Sequence, residues 1–587
     1  TSTAYGLYMI NSSNYVDIMH NTVSMTNTAN GGSFALYLSS GLSYLNIKNN
    51  IFQNTGNGTP TGSGFAAFIY PGTNVVYTNN DFYTRYNNFA YYNGGLYSNY
   101  AAWKAAAAVG IPSFETGGLN REVTFVSTTD LHTTTPCIAD AGANVLTRVA
   151  DDIDNAARST TPDMGADEFN ASARDAAVIA IRTPATSVVA LGSPYSIKIT
   201  VLNNGSSNIT SLDANYSVNG AVTSQSFTGL NIAPCDTLQL TFTAPYTFTT
   251  GGNNLFRAFT GSVNTLSDLN NVNDTFTTSF CTPFSGTFTI NKNLPQSQSN
   301  FTSVQGAVNA VYSCGIAGPV VLRIDSGSGP YNEQVTFSGL IPGISRINNV
   351  RLTGNTSREA ITFNPFSPSA QHTIRLIACK HIILDSLTIN NTGTSYGVGV
   401  HLVTTSDSNF VTNSNINITL ASTSFNNSAG IAISTNTSNV TTQGNNGNKN
   451  IFDNNTINGG YYGIIATGIN TTTFNLYNEI TNNRLNGQAL NGIYVYYQDL
   501  IKINGNRIDN MLSTSTGAAG ISASYIERFE MKKNRINRAG QYGIYLQNVN
   551  YQLGSGTARS EISNNMIGGI FNNASPYGIY VNAQMRN

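Results

Sequence analysis

Charge is what this chain has least of. Asp, Glu, Lys and Arg make up 10% of its 587 residues, against the quarter or so usual in globular proteins. So little charge argues against a disordered polyampholyte and against a helical protein, whose surface is normally coated with Lys, Glu and Arg. Lys and Arg number 28 and Asp and Glu 29, a net charge of −1 with no basic block, which argues against a nucleic-acid partner. No apolar run approaches the roughly 20 residues that span a bilayer, and Thr1-Ser2-Thr3-Ala4 lacks the basic start of a secretion signal, so no membrane span is expected in this segment. Cysteine is scarce as well. Cys137, Cys235, Cys281, Cys314 and Cys379 are an odd set without Cys-x-x-Cys spacing, which leaves no zinc or redox motif, and no cofactor is expected. Cys281 and Cys314 are candidates for pairing if the chain is secreted; buried free thiols are the equal alternative.

What fills the space is Asn, Ser, Thr and 54 Gly, and they are arranged in a repeat. Asn-x-aliphatic recurs at Asn455-Thr456-Ile457, Asn483-Arg484-Leu485, Asn506-Arg507-Ile508, Asn534-Arg535-Ile536 and Asn565-Met566-Ile567. Between these marks stand Gly463-Ile464, Gly492-Ile493, Gly520-Ile521, Gly543-Ile544 and Gly578-Ile579. A leucine-rich repeat of this period needs several Leu at fixed offsets, which are missing. Short β-branched strands separated by Asn and Gly turns fit a right-handed parallel β-helix, whose coils stack about 4.8 Å apart. Ile and Val should point inward in ladders, while Asn tolerates the left-handed turn and bonds to its equivalent one coil away. Scarce charge then has a cause, since like charges at that spacing repel. Asn21-Thr22-Val23, Asn49-Asn50-Ile51 and Asn80-Asp81-Phe82 repeat the grammar near the start, and Tyr5-Gly6-Leu7-Tyr8 matches Tyr542-Gly543-Ile544-Tyr545 and Tyr577-Gly578-Ile579-Tyr580.

The expected fold is all-β: two right-handed parallel β-helix regions separated by an immunoglobulin-like β-sandwich. Residues 1–170 are expected to be the C-terminal part of one β-helix. Asp130-Leu131-His132, Asp151-Asp152-Ile153-Asp154 and Pro162-Asp163-Met164-Gly165-Ala166-Asp167-Glu168-Phe169 resemble the closing segment of bacterial secreted β-helix domains, which implies a polar, irregular cap. Residues 171–282 carry alternating strands such as Ser196-Ile197-Lys198-Ile199-Thr200-Val201-Leu202 and turns such as Asn219-Gly220. With Asp268-Leu269-Asn270-Asn271-Val272-Asn273-Asp274 they resemble the CARDB-type adhesion module, with Cys235 where that family commonly has Gly. Residues 283–587 are expected to be the N-terminal part of a second β-helix. Val304, Ala307, Val308 and Val311 predict an amphipathic capping helix over 303–314, and Pro330-Tyr331-Asn332-Glu333-Gln334-Val335 resembles entry strands of the pectin-lyase-like superfamily. One β-helix thus lacks a beginning and the other an end, so a piece of a longer polypeptide is expected.

Catalytic constellations are sparse. The clustered aspartates, Gly-His-Gly and Arg-x-Lys of polygalacturonase-like hydrolases are missing, and His401 lacks neighbouring glycines. Gln498-Asp499-Leu500 resembles a fragment of the pectin methylesterase site, without its second aspartate motif or arginine. No enzyme is therefore expected. His132 and His381 read as structural histidines. Asp151, Asp152, Asp154, Asp163, Asp167 and Glu168 offer hard oxygens for Ca²⁺, with turn hydrogen bonds the commoner use of such residues. The mixed charges of Glu527, Arg528, Glu530, Lys532, Lys533, Arg535 and Arg538 read as a solvated coil face. Period-2 alternation sends Tyr494, Tyr545 and Tyr580 outward as a candidate contact surface for glycans or for other copies of the chain, interrupted by Ile465 and Ser522. The resemblance as a whole is to Bacteroidota-type secreted surface adhesins. It implies an extracellular, cell-surface stalk, filament or adhesin, the rival being a polysaccharide-degrading β-helix enzyme.

Overall fold

Ile464, Ile493, Ile521, Ile544 and Ile579 lie opposite one another on five consecutive parallel strands. The first four are wholly buried, whereas Ile579, on the outermost strand of its sheet, is 48% exposed. This is the inward ladder that the repeat predicts. The computed structural model describes residues 3–582 apart from 12–13, 27–31, 57–63, 134, 356–358, 420–425, 471–472, 514, 551–558 and 572–574. It is nearly all-β, dominated by a right-handed parallel β-solenoid. The chain divides into two compact units, one of residues 1–185, 195–246 and 255–278, the other of 186–194, 247–254 and 279–587.

In the second unit three parallel sheets of 11, 9 and 10 strands wind around one core. The Asn of the first four Asn-x-aliphatic marks is buried inside the coil corner, and Asn565 is half-buried. Asn483 shows the pattern: its backbone N–H and Nδ2 donate to Asn506 Oδ1, both at 3.0 Å, while Nδ2 also donates to the Phe452 carbonyl at 2.8 Å. Asn455, Asn506 and Asn534 repeat it with Asn483, Asn534 and Asn565. The left-handed backbone expected at these asparagines falls one residue earlier, on Asn454, Asn482, Gly505, Lys533 and Asn564. That residue makes the corner and delivers the next side chain inward.

The Gly of each Gly-Ile mark is not a turn residue but lies within a strand. A Cβ on Gly492 would stand 2.7 Å from Ile508 Cγ2 and 2.7 Å from the Gly520 carbonyl oxygen; Gly463, Gly520 and Gly543 meet Leu485, Ile536 and Ile567 in the same way. The two interleaved marks are therefore one packing device, the aliphatic of one sheet seated on the bare backbone of another.

Helix Val304–Cys314 buries Val304, Ala307, Val308, Val311 and Cys314 against the apolar core at the start of this solenoid. Ser303 caps it by accepting from Gly306 N–H, and the Glu333 carboxylate accepts from Val304 and Gln305 N–H, anchoring its positive end. Cys314 is disulfide-bonded to Cys281.

In the first unit, three sheets of parallel strands between Ala4 and Tyr92 form shorter coils. Their core is closed by helix Tyr100–Ala108, whose Trp103 packs on Phe82, Phe89 and Phe114. The acidic segment expected to cap the stack lies along its flank instead: Gly165 N–H donates to the Asn49 carbonyl, and Met164 packs with Ile51, Val123 and Ile138. Further along, antiparallel strands Ala176–Thr183, Lys198–Asn203 and Thr237–Thr241 form one sheet, and Ile209–Val218 pairs with Ala221–Ile232 and Gly252–Val263. The first of those pairings is a hairpin turning on Asn219-Gly220, both at positive φ. Cys235 is also at positive φ and forms a disulfide with Cys137 that sequence spacing did not suggest.

Replacing Asn506 by Ala leaves the N–H of Asn483 and one of its two Nδ2 hydrogens without an acceptor in a buried corner, and denaturant unfolding should show a loss on the order of 3 kcal/mol. Ile493→Asp buries an unpaired carboxylate and should cost about 3–5 kcal/mol. A wild-type midpoint for either variant contradicts this packing.

Candidate functional site

Tyr494, Tyr545 and Tyr580 share one outward register with Ser522 between the first two. That gap splits the stripe. Tyr545 and Tyr580 stack with centroids 5.6 Å apart and planes 2° from parallel, and Tyr542 and Tyr577 stack beside them at 5.6 Å and 13°. These four rings form one patch. Tyr494 belongs to another group, 5.5 Å from Tyr462 and parallel to Tyr496, and burial pushes its phenol pKa up. Tyr497 and Tyr525, both at positive φ on successive coils, pack 5.0 Å apart and extend this second group.

A longer aromatic face in the first unit went unrecognised in the sequence. Tyr5, Phe34 and Phe65 stack in register at 5.4 Å steps, and Tyr8, Tyr37, Phe68 and Tyr91 follow at 5.0, 4.9 and 4.1 Å. The signal was there, in aromatic pairs three residues apart at 5/8, 34/37 and 65/68, but the segments between those pairs share no common composition.

Below the second tyrosine group the structure gathers charges that the sequence left apart. Asp499 and Glu527, both buried, are register partners on adjacent coils, and Arg528 forks onto Asp499, its Nε donating to Oδ1 at 2.8 Å. Residues read as a solvated mixed-charge face thus include one buried acid, Glu527, and an arginine paired with Asp499. Farther along the chain toward its start, His401 is fully buried with Nε2 2.7 Å from Ser434 Oγ, and burial lowers its pKa to about 3, as befits a structural histidine. His381 is a left-handed corner residue whose pKa is lowered, first by burial.

In the first unit, the acids of the flank segment serve mostly as acceptors for backbone N–H groups. Asp152 takes those of Asp154, Ala156 and Glu168; Asp163 takes those of Asp140 and Phe169; Glu168 pairs with buried Arg158 at 3.1 Å. His132, Asp154 and Asp167 bring ligand atoms within 4.8 Å of one another. His132 is held there by hydrogen bonds to Asp130 and Asp154, which push its pKa up to about 9. Asp151 makes a bridge with Ala157 and is exposed.

Two other acids are sealed inside the first unit. The ladder Asn21, Asn50, Asn80 ends on Glu115, whose Oε1 accepts from Asn80 Nδ2 at 2.8 Å. Asp81 lies nearby with Oδ1 accepting from Arg121 N–H. Burial raises Glu115 to about 8 and Asp81 to about 7.

Comparison with known proteins agrees with this geometry at the level of fold. Residues 445–585 match the family model described as a right handed beta helix region. No curated protein matches the chain. Among solved structures, the CARDB domain of the PF1109 protein from Pyrococcus furiosus, in complex with di-metal ions, is 23% identical and covers 19% of this chain and 97% of its own, with a TM-score of 0.17. The GH136 lacto-N-biosidase from Eubacterium ramulus is 11% identical, covering 51% of this chain and 67% of its own at a TM-score of 0.33. PfbA, a surface adhesin of Streptococcus pneumoniae, is 12% identical, covering 47% and 88% at 0.24. These likenesses concern fold and transfer no residue roles. The expectation that the chain is no enzyme is corrected at this point. A glycoside hydrolase is among the β-helix structures it matches, and Asp499, Glu527 and Arg528 do come together. Among the described residues, no helix is long and apolar enough to cross a membrane.

The raised acids fix a pH dependence. A carboxyl whose folded pKa exceeds its unfolded value binds more protons when folded, so its stabilisation is complete below about pH 4 and is lost as pH rises through the folded values near 7 and 8. Thermal unfolding of the first unit should therefore occur at lower temperature at pH 9 than at pH 5, and Glu115→Gln should flatten that dependence. An unchanged slope in the variant contradicts the assignment.

Proposed function

We propose that the chain is a segment of a large, repetitive extracellular surface protein, a stalk, filament or adhesin, that holds glycans against aromatic faces of its β-helical coils in cell-surface or cell–cell attachment. The observation that carries this reading is the stacking of outward rings one coil apart, Tyr5–Phe34–Phe65 and Tyr8–Tyr37–Phe68–Tyr91 in one unit and the Tyr542, Tyr545, Tyr577, Tyr580 patch in the other. Rings stacked in this way turn their faces to one another and present an apolar strip of ring edges along the coils, with phenol hydroxyls at the rim, against which the C–H faces of sugar rings can pack. Two disulfides suit an oxidising, extracellular compartment. Scarcity of charge favours neutral ligands or other copies of the chain over nucleic acid. In this proposal residues 1–170 and 283–587 are the displaying β-helices, and 171–282 is an immunoglobulin-like, CARDB-type sandwich between them.

A second reading, processing of a polysaccharide, is favoured by one observation: Asp499 and Glu527 stand on adjacent coils beside Arg528. Both readings place a glycan on β-helical coils, and one experiment separates them. The purified chain is incubated with a panel of neutral and acidic oligosaccharides, and retention and product release are both followed. Retention of intact glycan, weakened about tenfold by Tyr545→Ala together with Tyr580→Ala, supports adhesion. Cleaved or epimerised products that vanish in Asp499→Asn support processing. Neither retention nor turnover removes both.

A further inference from the structure

We propose that His132, Asp154 and Asp167, in the flank segment of the first unit, together hold a zinc ion. One ligand atom of each lies within 4.8 Å of the other two. The three come from separate turns. His132 lies in a hairpin where Val126 N–H donates to its carbonyl, Asp154 in the turn between bridged Asp151 and Ala157, and Asp167 in the stretch after Gly165. Their chain neighbours are bonded to one another: Ile153 N–H donates to the Ala166 carbonyl at 3.0 Å, and Thr133 N–H to Asp167 Oδ2 at 3.3 Å. The backbone therefore holds the three ligands together whatever their side chains do.

Two observations set this group apart from the turn acids around it. The first is Asp167, which is 9% exposed. Among the described residues it accepts only from Thr133 N–H and is in no ion pair. A buried carboxylate served by so little calls for a cation. The second is the setting of the imidazole. His132 Nδ1 is 2.5 Å from Asp130 Oδ1, and Nε2 faces Asp154 Oδ2 at 2.8 Å. A carboxylate behind an imidazole fixes its tautomer and its aim and makes the far nitrogen a better ligand. Zinc takes the place of the proton between Nε2 and Asp154, while Nδ1–H stays on Asp130. One imidazole nitrogen with two carboxylates suits Zn²⁺ rather than Ca²⁺ or Mg²⁺, which take oxygen ligands, and three protein ligands leave a fourth position for water. Ligand atoms about 2.0–2.2 Å from a tetrahedral zinc stand roughly 3.4 Å apart. Nε2 and Asp154 are already closer than that, and the exposed Asp154 side chain is free to make the remaining adjustment.

The test is calorimetric titration of the whole, tag-free, EDTA-treated chain with ZnCl₂, beside its thermal unfolding. The expected result is saturable binding of about one equivalent, a rise of several degrees in unfolding temperature at a hundredfold excess over Kd, and reversal by EDTA. His132→Gln and Asp167→Asn should each weaken binding at least about tenfold, and so should Asp130→Asn, which touches no metal and acts by orienting the imidazole. His381→Gln, in the second unit, should keep the full response. No binding at about 100 µM Zn²⁺ overturns the proposal. So does binding that His132→Gln retains in full, that His381→Gln abolishes, or that millimolar Ca²⁺ displaces. Should Asp167→Asn not fold, the exposed Asp154→Asn takes its place with the same expected loss.

Discussion

A primary amide buried in a corner of the coil, donating forward to the asparagine of the next coil and accepting from that of the one before, is the contact on which the solenoid depends. Parallel strands share backbone hydrogen bonds, and so does the left-handed residue at each corner, as Asn482 N–H does with the Asn504 carbonyl, but the N–H of the asparagine after it does not. In Asn455, Asn483, Asn506 and Asn534 the corner N–H is paired with the side-chain oxygen of the next Asn instead. Few other side chains offer two donors and an acceptor in so short a reach. Ser414 begins this ladder and Glu115 ends the related one in the first unit, which explains why a carboxyl group is found at full burial there.

With corners tied in this way, spacing between marks becomes free. Loops of different length can leave the coil as long as the Asn returns to its place, and the ladder absorbs coil lengths of 41, 28 and 23 residues without a break. The same constraint fixes register, so whatever faces outward also stacks at one-coil intervals. Charges at that interval repel, whereas aromatic rings attract. The low charge and the aromatic faces are two outcomes of one geometry, and it is on those faces that the proposed glycan contact rests.

What could be read in the sequence was what repeats. The Ile ladder, the corner asparagines and the helix Val304–Cys314 all follow from period and alternation, which local physics sets. What could not be read depends on which coil meets which. Gly492 reads as a turn glycine until Ile508 is seen lying on it, and Asp499 reads as a lone acid until the next coil brings Glu527 and Arg528. Helix Tyr100–Ala108 carried a signal that was missed: Ala101-Ala102-Trp103-Lys104-Ala105 is a run of strong helix formers in a chain otherwise poor in them. The disulfide between Cys137 and Cys235, 98 residues apart, had no local trace.

Residue-resolved amide hydrogen exchange tests the central claim most directly. The N–H groups of Asn455, Asn483, Asn506 and Asn534 have side-chain oxygens as their partners, so their protection reports on the ladder alone. They should exchange as slowly as the core-strand amides of Ile464 and Ile493, through global unfolding only. Exchange orders of magnitude faster, at the rate of exposed turns, would contradict the account.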